Sequence, residues 1–295
     1  MRYSERKRNL FRLEVLGLAI VFLVATVGWL ATSARAATVE VPAKGKSKTI
    51  DKIREQRALR AGTGISLPWV GQDPKTSQFF GPTIEIGERI AQLLGVELKL
   101  LVSGWDVMIA GLQGNQYELI LAAFFATEKR RQVVDFVNYA EAGTCYAVLK
   151  DNDKIKTLED LNQPSVTIGT MTGLGSEYGI VAKYTKAKID SVPQLVSGAN
   201  RFEDVLTRRI DATWLDSDRA LLIARTYPQF KILPGGPEFC IDHPDIPVPI
   251  GMAINYGDPE FKKFLEAVVA DMKPQIKASL IKHRTIALEY MLKRQ

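Results

Sequence analysis

The sequence predicts an α/β fold of two lobes, each with a mainly parallel sheet flanked by helices. Apolar runs of strand length alternate with amphipathic stretches of about 10–12 residues, and this alternation restarts after residue 161. The composition, 46% hydrophobic and 24% charged over 295 residues, is that of a globular chain long enough for two domains. Strands that alternate with helices form right-handed βαβ units around parallel sheets.

The elements of the first lobe precede residue 150. Short apolar runs rich in Leu, Ile, Val and Ala predict strands, and the stretch IEIGERIAQLL is the clearest amphipathic helix. The predicted elements are strand 58–62, helix 83–94, strand 97–102, helix 105–113, and strands 117–122 and 145–149.

The same alternation then repeats for a second lobe. A final strand and helix follow it, and periodicity alone does not decide which lobe they join. The predicted elements are strand 165–169, helix 175–184, strand 191–195, helix 201–208, strand 212–215 and helix 218–225, followed by strand 250–254 and helix 259–276.

The first 36 residues have the layout of an export signal. Residues 1–14 are positively charged, residues 15–31 form an uninterrupted apolar run, and Ala34 and Ala36 are small residues before a cleavage point. An uncleaved membrane anchor through 15–31 is the alternative, since 17 apolar residues are close to the minimum for a span. Either interpretation exports the rest of the chain. Residues 37–49 are polar and aperiodic, which predicts a linker before a folded body that starts near residue 50.

Charge and cysteine counts exclude several classes of protein. Without residues 1–36 the chain holds 33 basic and 31 acidic residues, too small an excess for a nucleic-acid partner. Two cysteines and two histidines supply no ligand set for structural zinc, so we expect no metal and no cofactor. In an oxidising compartment Cys145 and Cys240 either form a disulfide or stay as two buried thiols.

Open α/β sheets bind ligands beyond the carboxyl ends of their strands, which directs attention to the residues that follow each strand. After strand 117–122 come Phe125, Thr127 and Arg130, and an arginine there holds a carboxylate by two parallel hydrogen bonds. The alternative for Arg130 is a solvated basic cluster. Trp69 follows the first strand, with core packing as its alternative.

Two further strand ends carry candidate binding residues. Gly173, Gly175 and Ser176 lead into a helix whose free N–H groups suit an anion, unless the segment is a plain turn with Ser176 as the helix cap. After strand 212–215 comes Asp216, a carboxylate for an ammonium group or, in the alternative, a helix cap.

Seven segments, in the same order along the chain, resemble the amino-acid-type solute-binding proteins of ABC transporters, family 3. Each match is weak by itself, but together they extend over about residues 49–275. They are TIDKIREQRALRAG (49–62), FGPTIEI (80–86), WDVMIAGLQ (105–113), YELI (117–120), TEKRRQVVDF (127–136), KTLEDL (156–161) and GMAI (251–254).

The resemblance implies a two-lobed, hinged periplasmic-binding-protein fold of type II that closes on a free amino acid and delivers it to a membrane permease. The first lobe would be residues 50–142 plus 248–295 and the second 145–240, with hinge strands near 143–144 and 245–249. Arg130 falls on the family's arginine for the ligand carboxylate and Asp216 on its aspartate for the ammonium group, while 173–176 is the second-lobe loop that also holds the carboxylate.

This sequence departs from the family pattern in its cleft. Where Gly-x-Thr commonly precedes the T-x-x-R motif, residues 123–125 read Ala-Phe-Phe, so the threonine hydroxyl is lost at Phe125. Together with Trp69 and Trp105, this predicts a cleft with apolar and aromatic walls. A bulky or apolar amino acid, a carboxylate without the standard α-amino geometry, and a cationic side chain stacked on the aromatic rings all remain open.

The leading hypothesis is therefore a monomeric periplasmic binding protein and not an enzyme. One alternative is a sensor or accessory protein that is not coupled to transport. The other is a periplasmic dehydratase of the cyclohexadienyl type, which needs a positioned general acid such as Glu177 or Asp218.

Overall fold

The computed structural model describes residues 39–193 and 200–292. The predicted signal or anchor within residues 1–36 lies outside them. None of the helices in the described ranges has an apolar stretch sufficient to span a bilayer.

Helices and strands alternate along the described chain. The helices are α1 Lys48–Gln56, α2 Pro82–Leu94, α3 Met108–Gln113, α4 Glu128–Arg131, α5 Gly175–Lys183, α6 Arg201–Leu206, α7 Ala220–Thr226, α8 Pro237–Asp242 and α9 Pro259–Leu292. The strands are β1 Ala58–Thr63, β2 Gly71–Gln72, β3 Phe79–Phe80, β4 Glu97–Val102, β5 Leu119–Phe125, β6 Asp135–Leu149, β7 Thr167–Met171, β8 Lys188–Val192, β9 Ala212–Asp216, β10 Phe230–Leu233 and β11 Ile246–Ile254.

Most predicted elements are present, with shifts at their ends. Helix α1 begins inside the predicted 37–49 linker because the Ser47 side chain accepts from the Ile50 backbone N–H and caps the helix. Helix α3 starts three residues later than predicted, after a turn in which the Val107 N–H bonds the Gly104 carbonyl. The predicted strand 191–195 is displaced, since β8 ends at Val192 and residues 194–195 lie outside the described chain.

Nine of the described strands form one sheet in the order β4-β1-β5-β11-β6-β9-β7-β8, with β10 pairing β6. The pairs β1–β4, β1–β5, β7–β8 and β7–β9 are parallel. Every antiparallel pair in this sheet involves β6 or β11. The two ends of the sheet are therefore parallel α/β layers of the predicted kind, joined through an antiparallel centre.

Strands β6 and β11 form that centre. Strand β6 is 15 residues long, where periodicity predicted only its last five and the family resemblance added a hinge strand near 143–144, and β11 is nine residues long. They pair from Thr144 opposite Ile246 to Asp135 opposite Ile254, with one register shift after Ile250. Two long neighbouring strands thus carry the chain between the ends of the sheet.

The buried apolar side chains fall into four clusters that divide along the sequence. Two clusters take their buried members from residues 50–142 and 250–276. The other two take theirs from residues 145–240. Within the second group Cys145 of β6 and Cys240 of α8, both fully buried, form a disulfide with Cα atoms 6.2 Å apart.

The predicted last helix, α9, packs with the first part of the chain. Its first half buries Phe264, Leu265 and Val268 in the largest cluster, on the side of β1 and α2. It continues to Leu292, well beyond the predicted end at residue 276, and Ser279 donates to the Glu85 carboxylate at 2.7 Å. The last part of the helix thus runs past α2.

We expect Gly81→Ala to lower the free energy of unfolding by about 2–4 kcal/mol. Gly81 has φ +118°, and an added Cβ would collide with the Trp69 carbonyl, which belongs to the backbone and has little freedom to move. Gly95→Ala is the control, because Gly95 has φ +68° with open space around it, and we expect a loss of about 1–2 kcal/mol from the left-handed conformation alone. Urea unfolding of the two variants measures the difference, and equal losses would contradict the steric argument.

Candidate functional site

A cavity of about 490 Å³ lies between the two sets of hydrophobic clusters. One wall comes from residues before 131, including Trp105, Phe125 and Arg130. The facing wall comes from residues after 170, including Gly175, Ser176 and Asp216. Six of the nine predicted binding residues therefore line one cavity, although they are distant in sequence.

Arg130 is held rigidly at this cavity by local bonds. The Thr127 side chain caps α4 by accepting from the Arg130 backbone N–H at 3.4 Å. The two terminal guanidinium nitrogens donate to the carbonyls of Phe125 and Gly173, each at 3.0 Å, and the guanidinium carbon lies 3.8 Å from the centre of the Phe124 ring. Thr127 and Gly173 thus position the arginine and do not themselves line the cavity.

Arg130 is 5% exposed, and burial lowers its pKa to about 10. Within residues 39–193 and 200–292 it has no carboxylate within ion-pairing distance. A buried cation without a counter-ion is costly, and an anion in the cavity would relieve that cost. The solvated basic cluster that was the alternative for Arg130 is therefore wrong.

The loop at residues 173–176 approaches Arg130 from the opposite wall. Gly173 has φ +84°, and its N–H donates to the Glu177 carboxylate at 2.7 Å. Helix α5 begins at Gly175, where an added Cβ would lie 2.6 Å from the Cβ of Phe125. Ser176 is buried in the first turn and is not the cap, since Leu174 occupies that position. The helix start thus brings backbone N–H groups to the cavity wall, close to Phe125.

Asp216 ends β9 on the same wall. Its carboxylate has no hydrogen-bond or ion-pair partner among the described residues, although it precedes a 3₁₀ turn that a capping side chain would bond. Burial raises the pKa of Asp216, opposed in part by the nearby Arg219. An ammonium group in the cavity would favour the ionised form.

Trp69, predicted to line the cleft, lies elsewhere. It is 1% exposed in the largest hydrophobic cluster, where its ring meets Tyr139 edge-on at 5.8 Å between centroids. Its indole N–H donates to the Asp218 carboxylate. The ring packs among apolar residues of β1 and α2, so core packing is the correct interpretation of Trp69.

The buried Asp218 carboxyl is unusual in its own right. Desolvation and the charge of Asp216 raise its pKa to about 7, while the bond from Trp69 and the charges of Arg219 and Arg284 act in the opposite direction. Through its bond with Trp69, Asp218 links the segment that follows β9 to the largest hydrophobic cluster.

Several cavity residues were not predicted from the sequence. Arg219 is one turn after Asp216, so the loop that drew attention to the aspartate also contained the arginine. Arg201 and Phe202 were predicted only as the start of helix 201–208, and Trp214 only as part of strand 212–215, so none of them gave a signal for the site. In the described part of the chain no three His, Cys, Asp or Glu side chains are grouped to hold a metal ion.

The model of the bacterial extracellular solute-binding proteins, family 3, matches residues 59–284. The chain belongs to this family. The match includes every residue of the cavity and ends within α9, so the site just described lies wholly within the family domain.

Two relatives of the chain bind amino acids according to their names. The chain is 26% identical to the L-cystine-binding protein TcyJ of Escherichia coli over 230 residues, which is 76% of this chain and 80% of that protein. It is 26% identical to the ABC transporter glutamine-binding protein GlnH of Bacillus subtilis over 265 residues, 88% of this chain and 92% of that protein.

A solved structure has the same fold. The ancestral amino acid-binding protein AncCDT-1, described as a precursor of cyclohexadienyl dehydratase, matches with a TM-score of 0.66 and 30% identity, covering 81% of this chain and 99% of its own. The predictions of family and of a two-lobed α/β fold are confirmed. The exact lobe boundaries stay a prediction.

We expect Asp218→Asn to remove a pH dependence of stability between about pH 4 and 7. The folded-state pKa of about 7 lies above the unfolded value of about 3.9, so the folded protein holds this proton more tightly. Its stabilising contribution is complete below pH 4 and is lost as the pH rises to about 7.

The free energy of unfolding of the natural protein should therefore fall across this range relative to the variant, by about 2–4 kcal/mol. Asparagine keeps an oxygen for the Trp69 indole, which makes it the conservative replacement. Urea titrations of both proteins at pH 4, 5.5 and 7 measure the effect, and parallel pH profiles would show that Asp218 titrates normally.

Proposed function

We propose that this family 3 protein captures an amino acid or a related carboxylate in the periplasm and delivers it to an ABC permease. The observation that carries the proposal is Arg130, a buried guanidinium on the cavity wall that has no carboxylate partner among the described residues. The names of TcyJ and GlnH support an amino-acid ligand, and that of GlnH supports an ABC transporter.

The ligand carboxylate binds Arg130 and the first turn of α5, and its ammonium group binds Asp216. Arg130 keeps its two carbonyl contacts and offers its remaining donors, while Asp216 has an unpaired carboxylate on the opposite wall. A zwitterion thus meets complementary charge on both sides of the cavity. The aromatic side chains of Trp105 and Phe125 enclose the rest of the ligand.

Lobe closure supplies the binding mechanism. The proposed lobes are residues 50–142 plus 248–295 and residues 145–240, with hinge crossings near 143–144 and 245–249. The division of the hydrophobic clusters at the same places supports these boundaries. A ligand that touches both lobes stabilises the closed state, because its contacts to the second lobe are lost on opening.

Binding, not catalysis, is the proposed activity. A dehydratase needs a general acid within reach of its substrate, and neither candidate lines the cavity. Glu177 accepts from the Gly173 N–H at 2.7 Å and from the Ser191 hydroxyl at 2.5 Å. Asp218 is turned toward Trp69. We further propose that the protein acts as a monomer, without a nucleic-acid partner.

We expect Arg130→Ala to weaken ligand affinity by about a hundredfold or more, because it leaves the ligand carboxylate without its buried counter-ion. Arg131→Ala is the matched control. That neighbouring arginine bonds the Ala126 carbonyl and the Asn138 side chain and does not line the cavity, so its loss should leave affinity unchanged. Isothermal titration with the best ligand from a thermal-shift screen measures both, with circular dichroism to verify folding. Unchanged affinity in Arg130→Ala would refute the carboxylate role.

We expect Asp216→Asn to weaken amino acids about tenfold or more, and the deaminated acids of the same side chain much less. The variant keeps the size of the side chain and removes the charge that meets the ammonium group. The deaminated acid acts as the internal control, since it lacks the ammonium group but still binds Arg130 through its carboxylate. An equal loss for both compounds would place the ammonium group elsewhere in the cavity.

A further inference from the structure

The cavity wall carries an imbalance of charge that a plain amino acid does not satisfy. Among the described residues that line it, three are arginines, Arg130, Arg201 and Arg219, and one is acidic, Asp216. Whether each arginine already has a counter-ion decides how much positive charge the ligand meets.

Arg201 is neutralised by the protein. Its guanidinium pairs with Asp204 at 2.7 Å and with Asp190 at 2.9 Å, and it is only 2% exposed. Arg209 shares the same two carboxylates, at 3.3 and 3.6 Å. Two arginines and two aspartates form a balanced network, which therefore adds no net charge to the cavity.

Arg219 is different. In the described chain it has no carboxylate within 4 Å. The Nε atoms of Arg201 and Arg219 are both buried without a hydrogen-bond partner, so the missing carboxylate is the difference between them. Behind it lie Asp218 and Arg284, which cancel each other when Asp218 is ionised and leave an added positive charge when it is protonated. With Asp216 opposing Arg130 and Arg219, the cavity keeps a net charge of at least +1.

We infer that the ligand carries a second carboxylate, and that Arg219 is the residue that selects it. This inference rests on the proposed function, in which Arg130 and Asp216 hold the amino-acid head group. A neutral amino acid would fill the cavity and bury Arg219 without a counter-ion, at a desolvation cost. A cationic amino acid would add a like charge. An amino dicarboxylate brings the site to neutrality.

The cavity has room for this second group. Its volume of about 490 Å³ and its apolar walls, which include Phe202 and Trp214, fit a carboxylate carried on an aliphatic chain. Two kinds of compound share this chemistry. The second carboxylate is either on the side chain, as in glutamate or 2-aminoadipate, or on a substituent of the nitrogen, as in N-(1-carboxyethyl) amino acids.

Isothermal titration against matched ligands tests the inference. The probes are L-glutamate, L-2-aminoadipate and N-(1-carboxyethyl)-L-alanine as dicarboxylates, with L-glutamine as the neutral isostere of glutamate and L-lysine as the cation. We expect at least one dicarboxylate to bind about ten- to a hundredfold more tightly than both L-glutamine and L-lysine. Which probe binds best distinguishes the two positions of the second carboxylate.

Arg219→Gln should then reduce that preference to within about threefold, because the dicarboxylate loses its counter-ion, while L-glutamine should bind at least as tightly as in the natural protein, because it no longer buries an uncompensated charge. Arg225→Gln is the control variant, since Arg225 is exposed in the last turn of α7 and does not line the cavity. Its ligand preference should match that of the natural protein.

The outcomes separate this inference from the function on which it rests. Tight binding of L-glutamine or L-lysine that depends on Arg130 but not on Arg219 would overturn the inference and keep the proposed function. Equal weakening of all ligands by Arg219→Gln would also overturn it, because the residue would then act on the head group. A protein that melts cooperatively and binds none of the five probes or the common amino acids would refute both.

Discussion

The pairing of β6 with β11 is the constraint on which the rest of the structure depends. These two strands lie side by side at the centre of the sheet, where β11 pairs with β5 of one parallel end and β6 pairs with β9 of the other. Their antiparallel pairing fixes the ends of β5 and β9 on opposite sides of one cavity. Arg130 and Asp216, 86 positions apart in the sequence, face a common space for that reason.

Several contacts link the two groups of hydrophobic clusters outside these strands. Arg130 donates to the Gly173 carbonyl, and the Trp69 indole donates to Asp218. The Lys129 ammonium lies 4.5 Å from the centre of the Tyr178 ring. The first two are hydrogen bonds of a charged group and the third is a cation–π contact.

In the proposed function, the cavity combines a general recognition element with a selective one. Arg130 and Asp216 lie on facing walls and would bind the two charges of any zwitterion. Arg219 adds a charge with no carboxylate within ion-pairing distance among the described residues, whereas Arg201 nearby forms ion pairs with Asp190 and Asp204. The contrast between these two arginines shows that the number of basic residues on the wall does not give the net charge of the cavity. The counter-ions that lie behind the wall decide which charge the ligand meets.

The sequence by itself determined the α/β class, the restart of the pattern that marks two lobes, and the candidates Arg130, Ser176 and Asp216. These follow from local periodicity and from the rule that ligands bind beyond strand ends, both of which are encoded by neighbours in the chain. The same rule failed for Trp69, because a residue after a strand enters either the cavity or the core, and only packing decides between them.

The tertiary structure alone decided the length of β6, the course of α9, the bond between Cys145 and Cys240, and the arginines that remain unpaired. Arg201 and Arg219 look alike in the sequence, but the fold brings carboxylates to the first and none within ion-pairing distance of the second among the described residues. Asp204 follows Arg201 by three residues and Asp216 precedes Arg219 by the same number, so sequence spacing does not distinguish the two arginines. Which carboxylate comes within ion-pairing distance depends on the course of the backbone around each arginine, and a one-dimensional pattern does not contain those distances.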